Sequence, residues 1–209
     1  MITLQTRTIG EAWLEVARRI LDDGVEATYD ALPITELASV TLEVARPDPA
    51  DELIARLADP ERLDWMRRNF VDPDLVAELG DARSYASRIH DYNGTGRDQL
   101  DWVIARLEAD PASRSATITT FEPLLDVTYI PCVSMMDFWI PAGAVELVVY
   151  AHSIDFGAKG YGNLVQLAAI QHEVAQRLGR PVGSLTVIVK SAHIYDTERE
   201  FMSGVLAAA

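Results

Sequence analysis

One thiol and two histidines are the side chains whose types and positions could support nucleophilic chemistry. Cys132 is the only cysteine among 209 residues, and it follows a proline at the start of an apolar run. A lone cysteine of this kind is more often a packing residue, so a nucleophilic role requires surroundings that stabilise its thiolate. His152 and His193 each lie near the end of a predicted strand, where loops gather functional groups. Taken singly, none of the three identifies a reaction.

A glycine-rich stretch from Asp155 to Asn163 is the second candidate. It predicts either a mobile ligand-binding loop or an ordinary connection from a strand to a helix. It has neither the lysine–serine ending of a P-loop nor the dinucleotide-binding pattern. The sequence also lacks a G-x-S-x-G elbow, and its four histidines and one cysteine show no metal-ligand spacing, so we predict no metal site.

The elements that must position these residues follow an α+β pattern. A capping box at Thr8 predicts a helix that ends at Gly24. Alternating or continuous apolar residues predict strands over 36–46, 115–122, 131–140, 144–153 and 184–190. Helical spacing predicts helices over 100–110 and 162–178 and a short one from Asp196. Residues 47–80 are dense in charge and proline, and we predict a surface excursion within a single domain of residues 1–209.

The bulk composition limits the partners and the compartment. A formal net charge of −14 argues against a nucleic-acid polymer as ligand, because backbone binding needs a basic surface. No apolar run reaches the about 18 residues that cross a bilayer, and no signal peptide is evident. One cysteine cannot form an internal disulfide. We therefore expect a cytoplasmic protein without a membrane partner.

Several short motifs in a fixed order resemble the thymidylate synthase family across residues 80–196. They are Asp110–Arg114, Pro131-Cys132, Tyr150–Asp155, Asn163 and Ala192–Tyr195. The start of the first helix, Thr8–Trp13, looks like the short microbial branch of that family. The resemblance implies a large mixed sheet packed with helices, with one sheet face used to form a homodimer.

The resemblance also implies one-carbon transfer to C5 of a pyrimidine. Cys132 aligns with the nucleophile that adds to C6, which turns C5 into a carbon nucleophile. The one-carbon donor would be 5,10-methylenetetrahydrofolate. Asn163 aligns with the asparagine that reads N3–H and O4 of a uracil-type ring. The other implied contacts are Tyr85 near the reacting C5, Asp155 with folate, Ser153 with phosphate, His193 and Tyr195 with the sugar 3′-hydroxyl, and Arg114 with the neighbouring subunit's substrate.

Phosphate recognition departs most from the family pattern. Arg114 remains from the usual arginine pair, but Ser115 follows it. His152 stands where another arginine is expected, and residues 26–30 contain no counterpart of the N-terminal arginine. Neither serine nor neutral histidine replaces a bidentate guanidinium. We therefore expect a substrate that lacks a 5′-phosphate or carries a different group there.

Further departures leave the reaction itself open. Val133, Asp137, Ala151 and Glu122 replace polar residues common in the family, and such losses can retune or abolish catalysis. Residues 36–80 form a divergent excursion that aligns too poorly to place the catalytic glutamate. After Phe201-Met202 there is no longer tail to close over the folate, so we expect water to reach the intermediate and a hydroxymethyl product to compete with methyl.

Two other functions remain open on the sequence. One is a folate-independent exchange, decarboxylation or dehalogenation at C5 of a related heterocycle. The other is a catalytically silent paralogue that binds a nucleoside or supports a partner enzyme, although the joint retention of Cys132, Asn163, Asp155 and Tyr195 argues against it. Nothing in the sequence calls for a flavin, which stays open as a second cofactor, and a place in specialised metabolism fits the altered phosphate site.

Overall fold

The computed structural model describes residues 2–72, 79, 82–127 and 129–209. Their strands form one seven-stranded sheet in the order β1-β3-β7-β6-β5-β4, with β2 paired to β3. The β1–β3 and β6–β7 pairs are parallel and the other pairs antiparallel, so the sheet is mixed, as expected. The strands are β1 (Ile2–Thr6), β2 (Val25–Tyr29), β3 (Leu32–Val44), β4 (Ala116–Thr119), β5 (Val133–Trp139), β6 (Val145–Asp155) and β7 (Val182–Tyr195).

Helices cover one face of this sheet. They are α1 (Ile9–Asp23), α2 (Glu52–Leu57), α3 (Pro60–Val71), α4 (Tyr85–His90), α5 (Gln99–Ala109), α6 (Gly160–Arg177) and α7 (Arg199–Ala208), with a 3-10 turn at Asp196–Glu198. Helix α1 contacts β3 and β7, and α6 contacts β6 and β7. The alternating apolar residues of β3 that face these helices are fully buried, namely Val40, Leu42 and Val44. The core therefore lies between this sheet face and the helices.

The predicted limits of the first helix are confirmed by its two caps. Thr8 accepts a hydrogen bond from the Glu11 backbone N–H at 3.3 Å, which satisfies one of the free donors of the first turn. At the other end, the Gly24 N–H donates to the Ile20 carbonyl. A Cβ atom on Gly24 would lie 2.4 Å from that oxygen, so only glycine fits the close approach.

The segment that we expected at the surface contributes to the core. Ile54 of α2 and Met66 and Phe70 of α3 are buried, and Phe70 stacks on Tyr85 with ring centres 4.3 Å apart. Residues 36–44, which aligned poorly, form part of β3 between β1 and β7. The apolar residues at i, i+4 spacing on α3 explain this packing. Positions 73–78, 80 and 81 lie outside the described residues.

The other sheet face is partly exposed and carries large apolar side chains. Met135, Tyr150 and Ile188 lie next to one another across β5, β6 and β7 in the strand register, and each is exposed by more than a third. Trp139 extends this face at the end of β5. None of the described helices is long and apolar enough to cross a membrane.

Candidate active site

The strand register brings the predicted residues to one edge of the sheet. Strands β6 and β7 are parallel, and Asp155 at the end of β6 pairs with His193 near the end of β7. Strand β5 runs antiparallel to β6, so the residue before it lies beside the end of β6. The Cys132 carbonyl accepts a hydrogen bond from the His152 N–H at 3.0 Å, which fixes this neighbourhood.

These residues surround a cavity of about 350 Å³, here called the thiol cavity. Seven of the residues singled out in the sequence line it: Cys132, His152, Ser153, Asp155, Asn163, His193 and Tyr195. The sequence reasoning missed five others, which are Tyr29, Asp30, Tyr129, Ile130 and Lys159. A single ring with a small polar substituent fits a cavity of this size.

The thiol of Cys132 lies in the wall of this cavity next to a hydroxyl. Ser153 Oγ donates to Cys132 Sγ at 3.8 Å. Burial raises the pKa of Cys132 above its ordinary value of 9.0, and the hydrogen bond from Ser153 and the charge of Lys159 oppose that rise. The thiol form therefore dominates at neutral pH, and any nucleophilic role depends on these two neighbours.

Asn163 presents its carboxamide from the first turn of α6. The side chain is buried, and its Nδ2 donates to the Lys159 carbonyl at 3.3 Å. This bond leaves Oδ1 and the second N–H for a ligand in the cavity. An acceptor beside a donor is the pattern that N3–H and O4 of a uracil-type ring require.

The carboxyl of Asp155 is held at the end of β6. Its Oδ1 accepts hydrogen bonds from the N–H groups of Gly157 at 3.0 Å and Ala158 at 3.2 Å. The next residue is held as well, since the indole N–H of Trp13 donates to the Phe156 carbonyl at 3.0 Å. Burial raises the pKa of Asp155 from 3.8 to about 6. The carboxylate is therefore fixed in position but costs energy to ionise.

Burial favours the neutral form of both histidines of the cavity. His193 is only 2% exposed and packs edge-on between Tyr29 at 5.4 Å and Tyr195 at 5.2 Å. Neither of its ring nitrogens has a hydrogen-bond partner of good geometry among the described residues, although the Ser191 backbone lies near enough to oppose the fall in the His193 pKa. Burial lowers the pKa of both His193 and His152. A buried imidazole without a partner points to a polar ligand group, and a neutral His152 does not replace an arginine.

Two of the predicted residues lie outside the thiol cavity. The hydroxyl of Tyr85 accepts a hydrogen bond from the Val133 N–H at 2.9 Å, and the side chain is buried behind the residue that follows Cys132. Arg114 is exposed in the loop before β4, and its guanidinium donates to the Ala112 carbonyl at 3.1 Å. Within one chain, then, Tyr85 fixes the backbone beside the thiol and Arg114 does not reach the cavity.

Buried ion pairs hold the segment that leads to Cys132. Arg88 of α4 donates two hydrogen bonds to the carboxylate of Asp126, each at 2.8 Å, and one to the Thr120 carbonyl. Glu122 accepts from Arg83 at 3.1 Å. Both Arg88 and Glu122 are 2% exposed. Glu122, one of the departures from the family pattern, therefore belongs to this ion cluster.

A larger cavity of about 910 Å³, here called the groove, adjoins the thiol cavity. The two share Asp155, Lys159 and Tyr195. Trp65 of α3 lines the groove, and its indole N–H is buried without a partner among the described residues. The Lys159 ammonium lies 5.7 Å from the centre of the Trp65 ring. A flat, polar molecule larger than a pyrimidine fits such a groove.

The missed residues had weak signals in the sequence. Lys159 lies inside the glycine-rich stretch, whose glycines indicate backbone conformation rather than a charged ligand contact. Asp30 and Ala31 form the two-residue turn between β2 and β3, with φ values of 49° and 62°. Aspartate tolerates that conformation, but without a following glycine the usual hairpin signal was absent. Among the described residues, no group of three or more His, Cys, Asp and Glu is placed to hold a metal.

These features define an α+β protein whose sheet edge holds a ligand cavity built around a thiol, an asparagine and a carboxyl group. The family model described as "Thymidylate synthase" matches residues 50–207. The chain therefore belongs to the thymidylate synthase family. Membership supports methyl transfer to C5 of a pyrimidine in general. Members normally use methylenetetrahydrofolate and are typically homodimers that act on a small pyrimidine nucleotide.

Named relatives match this chain over different shares of its length. A protein of Methanosarcina barkeri named "Putative thymidylate synthase" is 28% identical over 208 residues, which cover 97% of this chain and 94% of that protein. A protein of the same name from Methanosarcina mazei is also 28% identical, with the same shares covered. The "Thymidylate synthase" of equine herpesvirus 2 is 27% identical over 114 residues, 54% of this chain and 39% of that protein.

Proposed function

We propose that the protein transfers a one-carbon unit from 5,10-methylenetetrahydrofolate to C5 of a uracil-type nucleoside or nucleotide, as methyl or hydroxymethyl. One observation carries this proposal. The thiol cavity brings Cys132 together with the carboxamide of Asn163, and it adjoins a groove that shares Asp155. A covalent nucleophile, a reader of the ring edge and room for a second flat molecule are the parts that such a transfer needs.

The roles of the side chains follow from their positions. The Cys132 thiolate adds to C6 while Asn163 holds N3–H and O4, so that electron density moves to C5. Ser153 holds the thiolate through the 3.8 Å contact. The unpartnered nitrogens of His193 are free to bind a sugar hydroxyl, beside Tyr195. Tyr85 fixes the backbone N–H that follows the nucleophile.

The groove fits the proposed folate. Trp65 offers a ring to stack on and a buried indole N–H that lacks a partner among the described residues. Asp155 lies where groove and cavity meet, and a carboxyl there suits the amino and ring N–H groups of a pterin. When bound, methylenetetrahydrofolate supplies the one-carbon unit. Asp155 and Trp65 would orient it toward the ring held by Asn163.

The charge of the thiol cavity supports a substrate without a 5′-phosphate. Its described lining contains the carboxyl groups of Asp30 and Asp155 and no arginine. Lys159 is the one lysine in that lining, and the two histidines are kept neutral by burial. A phosphate dianion needs several charge-assisted hydrogen bonds. We propose that a nucleoside is preferred to its monophosphate, because one arginine, Arg114 of a second subunit, does not supply the several guanidinium contacts that a phosphate dianion needs.

The experiment is a ligand screen by native mass spectrometry, with wild type and Cys132→Ser. The probes are deoxyuridine and deoxyuridylate, uridine and uridylate, and cytidylate, each with and without methylenetetrahydrofolate. Serine keeps the size of the side chain but is a far weaker nucleophile, which makes it the matched control. The expected result is a covalent pyrimidine adduct of wild type only, with deoxyuridine or uridine ahead of its monophosphate.

Other outcomes of the screen select among the alternatives. An adduct that forms equally well with monophosphates overturns the phosphate proposal but keeps the transferase. An adduct that forms equally well with and without methylenetetrahydrofolate, with no one-carbon transfer when it is present, favours the folate-independent reaction. Binding without an adduct, unchanged in Cys132→Ser, favours the catalytically silent paralogue and contradicts the proposed chemistry.

The exposed sheet face supports a homodimer. Met135, Tyr150 and Ile188 form adjoining apolar positions on the face opposite the helices. Large apolar patches on an otherwise charged surface commonly mark protein interfaces. We propose that two chains pack these faces together and that Arg114 then serves the neighbouring chain's cavity.

A further inference from the structure

Lys159 is a cation with no role assigned so far. It is one of only two lysines among the 18 basic residues. It lines both the thiol cavity and the groove. The neighbouring arginines of the groove are engaged elsewhere, Arg62 with Glu198 at 2.8 Å and Arg68 with Asp64 at 3.3 Å. Among the described residues, no salt bridge involves Lys159, whose ammonium contacts only the face of Trp65.

The backbone couples Lys159 to the residue that reads the ring. The Lys159 carbonyl accepts two hydrogen bonds from Asn163, one from its backbone N–H at 2.9 Å and one from its Nδ2 at 3.3 Å. Residues four apart at a helix start lie on the same side, and both side chains line the thiol cavity. The Lys159 ammonium lies at the face of Trp65, and its flexible four-carbon stem allows it to turn toward O4 of a ring whose N3–H and O4 face Asn163.

We propose that Lys159 is a catalytic residue that stabilises the negative charge on O4 of the ring while Cys132 adds to C6. In this step the S–C6 bond forms, and the electron pair of the C5=C6 double bond moves through C4 to O4. In the exchange reaction C5 then takes a proton from solvent; when the other C5 hydrogen leaves as a proton, its electron pair re-forms the C5=C6 double bond and the C6–S bond breaks to release the thiolate. The inference rests on the proposed function, because it assumes a uracil-type ring at Asn163.

The charge balance of the cavity agrees with this role. Lys159 is the permanent cation of a lining that also holds Asp30 and Asp155. Its charge acts to lower the pKa of both Cys132 and Asp155, so its field reaches the nucleophile and the junction with the groove. The positive N-terminal end of α6, which starts at Gly160, points the same way. An oxyanion that develops here is stabilised more than the neutral ground state.

The experiment measures hydrogen–deuterium exchange at C5 of deoxyuridine and deoxyuridylate in D₂O, without folate. Exchange requires only thiolate addition, protonation at C5 and reversal, so it is independent of one-carbon transfer. The variants are Lys159→Met, which removes the charge, and Lys159→Arg, which keeps it. Arg180→Met is the matched control, since it removes one exposed positive charge beyond the other end of α6.

We expect Lys159→Met to slow exchange about 100-fold, the lower end of the effect for loss of an oxyanion-stabilising donor. Lys159→Arg should recover most of the rate, and Arg180→Met should match wild type. Substrate affinity should change far less than the rate, because the charge on O4 appears only during addition. Exchange by Lys159→Met at the wild-type rate would overturn the proposal.

A second measurement separates O4 from the thiol as the target of Lys159. Alkylation of Cys132 by iodoacetamide, followed against pH, reports thiolate formation without any ring present. If Lys159→Met slows alkylation as much as exchange, Lys159 acts on the thiol and the O4 role is wrong. If wild type exchanges neither probe, the proposed function fails first, and the inference fails with it.

Discussion

Replacing Asp155 by asparagine tests whether the site is built at the expense of stability. Asp155 is 7% exposed, and burial raises its pKa from 3.8 to about 6. A carboxyl group whose pKa is higher in the folded than in the unfolded protein lowers the free energy of unfolding at pH values where it is ionised. The penalty is therefore small at pH values near 3.8, grows between 3.8 and about 6, and is fully present above about 6.

The size of the effect follows from that shift. One pKa unit corresponds to about 1.36 kcal/mol, so ionised Asp155 lowers the free energy of unfolding by about 3 kcal/mol at pH 8. At pH 4.5 most of the folded protein carries a neutral carboxyl, and the same linkage gives about 1 kcal/mol. Asparagine avoids the charge, and its Oδ1 still accepts the hydrogen bonds of Gly157 and Ala158. Asp155→Asn should therefore raise the free energy of unfolding by about 2 kcal/mol more at pH 8 than at pH 4.5.

The assay is urea denaturation of Asp155→Asn and wild type at both pH values, with the free energies of unfolding compared pairwise. Asp22→Asn, an exposed aspartate at the end of α1, is the matched control. Its effect should stay within about 0.5 kcal/mol at either pH. A gain for Asp155→Asn that is equal at the two pH values, or larger at pH 4.5, would refute the argument from burial.

Three further predictions concern the thiol, the ion cluster and the exposed sheet face. Ser153→Ala should slow alkylation of Cys132 at pH 8 about two- to five-fold, because loss of the hydrogen bond raises the thiol pKa further; an unchanged rate would contradict the role of Ser153. Arg88→Met should lower the free energy of unfolding by about 3–5 kcal/mol, because Asp126 then stays buried and unpaired. Adding Asp126→Leu should recover part of the lost free energy, whereas a further decrease would argue against the Arg88–Asp126 ion pair. Tyr150→Glu should give a folded monomer by light scattering if the exposed sheet face is the dimer interface, whereas a monomeric wild type at working concentration would contradict the interface itself.

Much of the fold could be predicted because its signals are local. The cap at Thr8, the stop at Gly24 and the apolar spacing of α5 and α6 depend on near neighbours, and their limits are confirmed within about two residues. Strand β7 was predicted too short, since its last residues carry polar side chains that serve the cavity. The core role of α3 could not be predicted, because charge hides the buried stripe of Met66 and Phe70.

Site residues that belong to local sequence motifs could be predicted, whereas residues that enter the cavity through long-range contacts could not. Cys132, Asn163 and Asp155 come from ordered motifs, and the strand register brings them together. Asp30 enters the cavity only because the β2–β3 turn folds over it, a contact between residues more than one hundred positions apart. The position of Tyr85 behind Cys132 likewise depends on packing that no local pattern encodes.

Three buried polar groups are either costly to ionise or without hydrogen-bond partners, and this links the fold to its function. Asp155 is raised in pKa by burial, and the nitrogens of His193 and the indole N–H of Trp65 have no partners among the described residues. Each of them lowers stability where it lies, because a buried polar group without a full set of partners loses its contacts with water. All three line the thiol cavity or the groove. A fold under selection for stability alone would fill such positions with apolar side chains, so their presence in the lining of these two adjoining cavities argues for polar ligands that complete their hydrogen bonding.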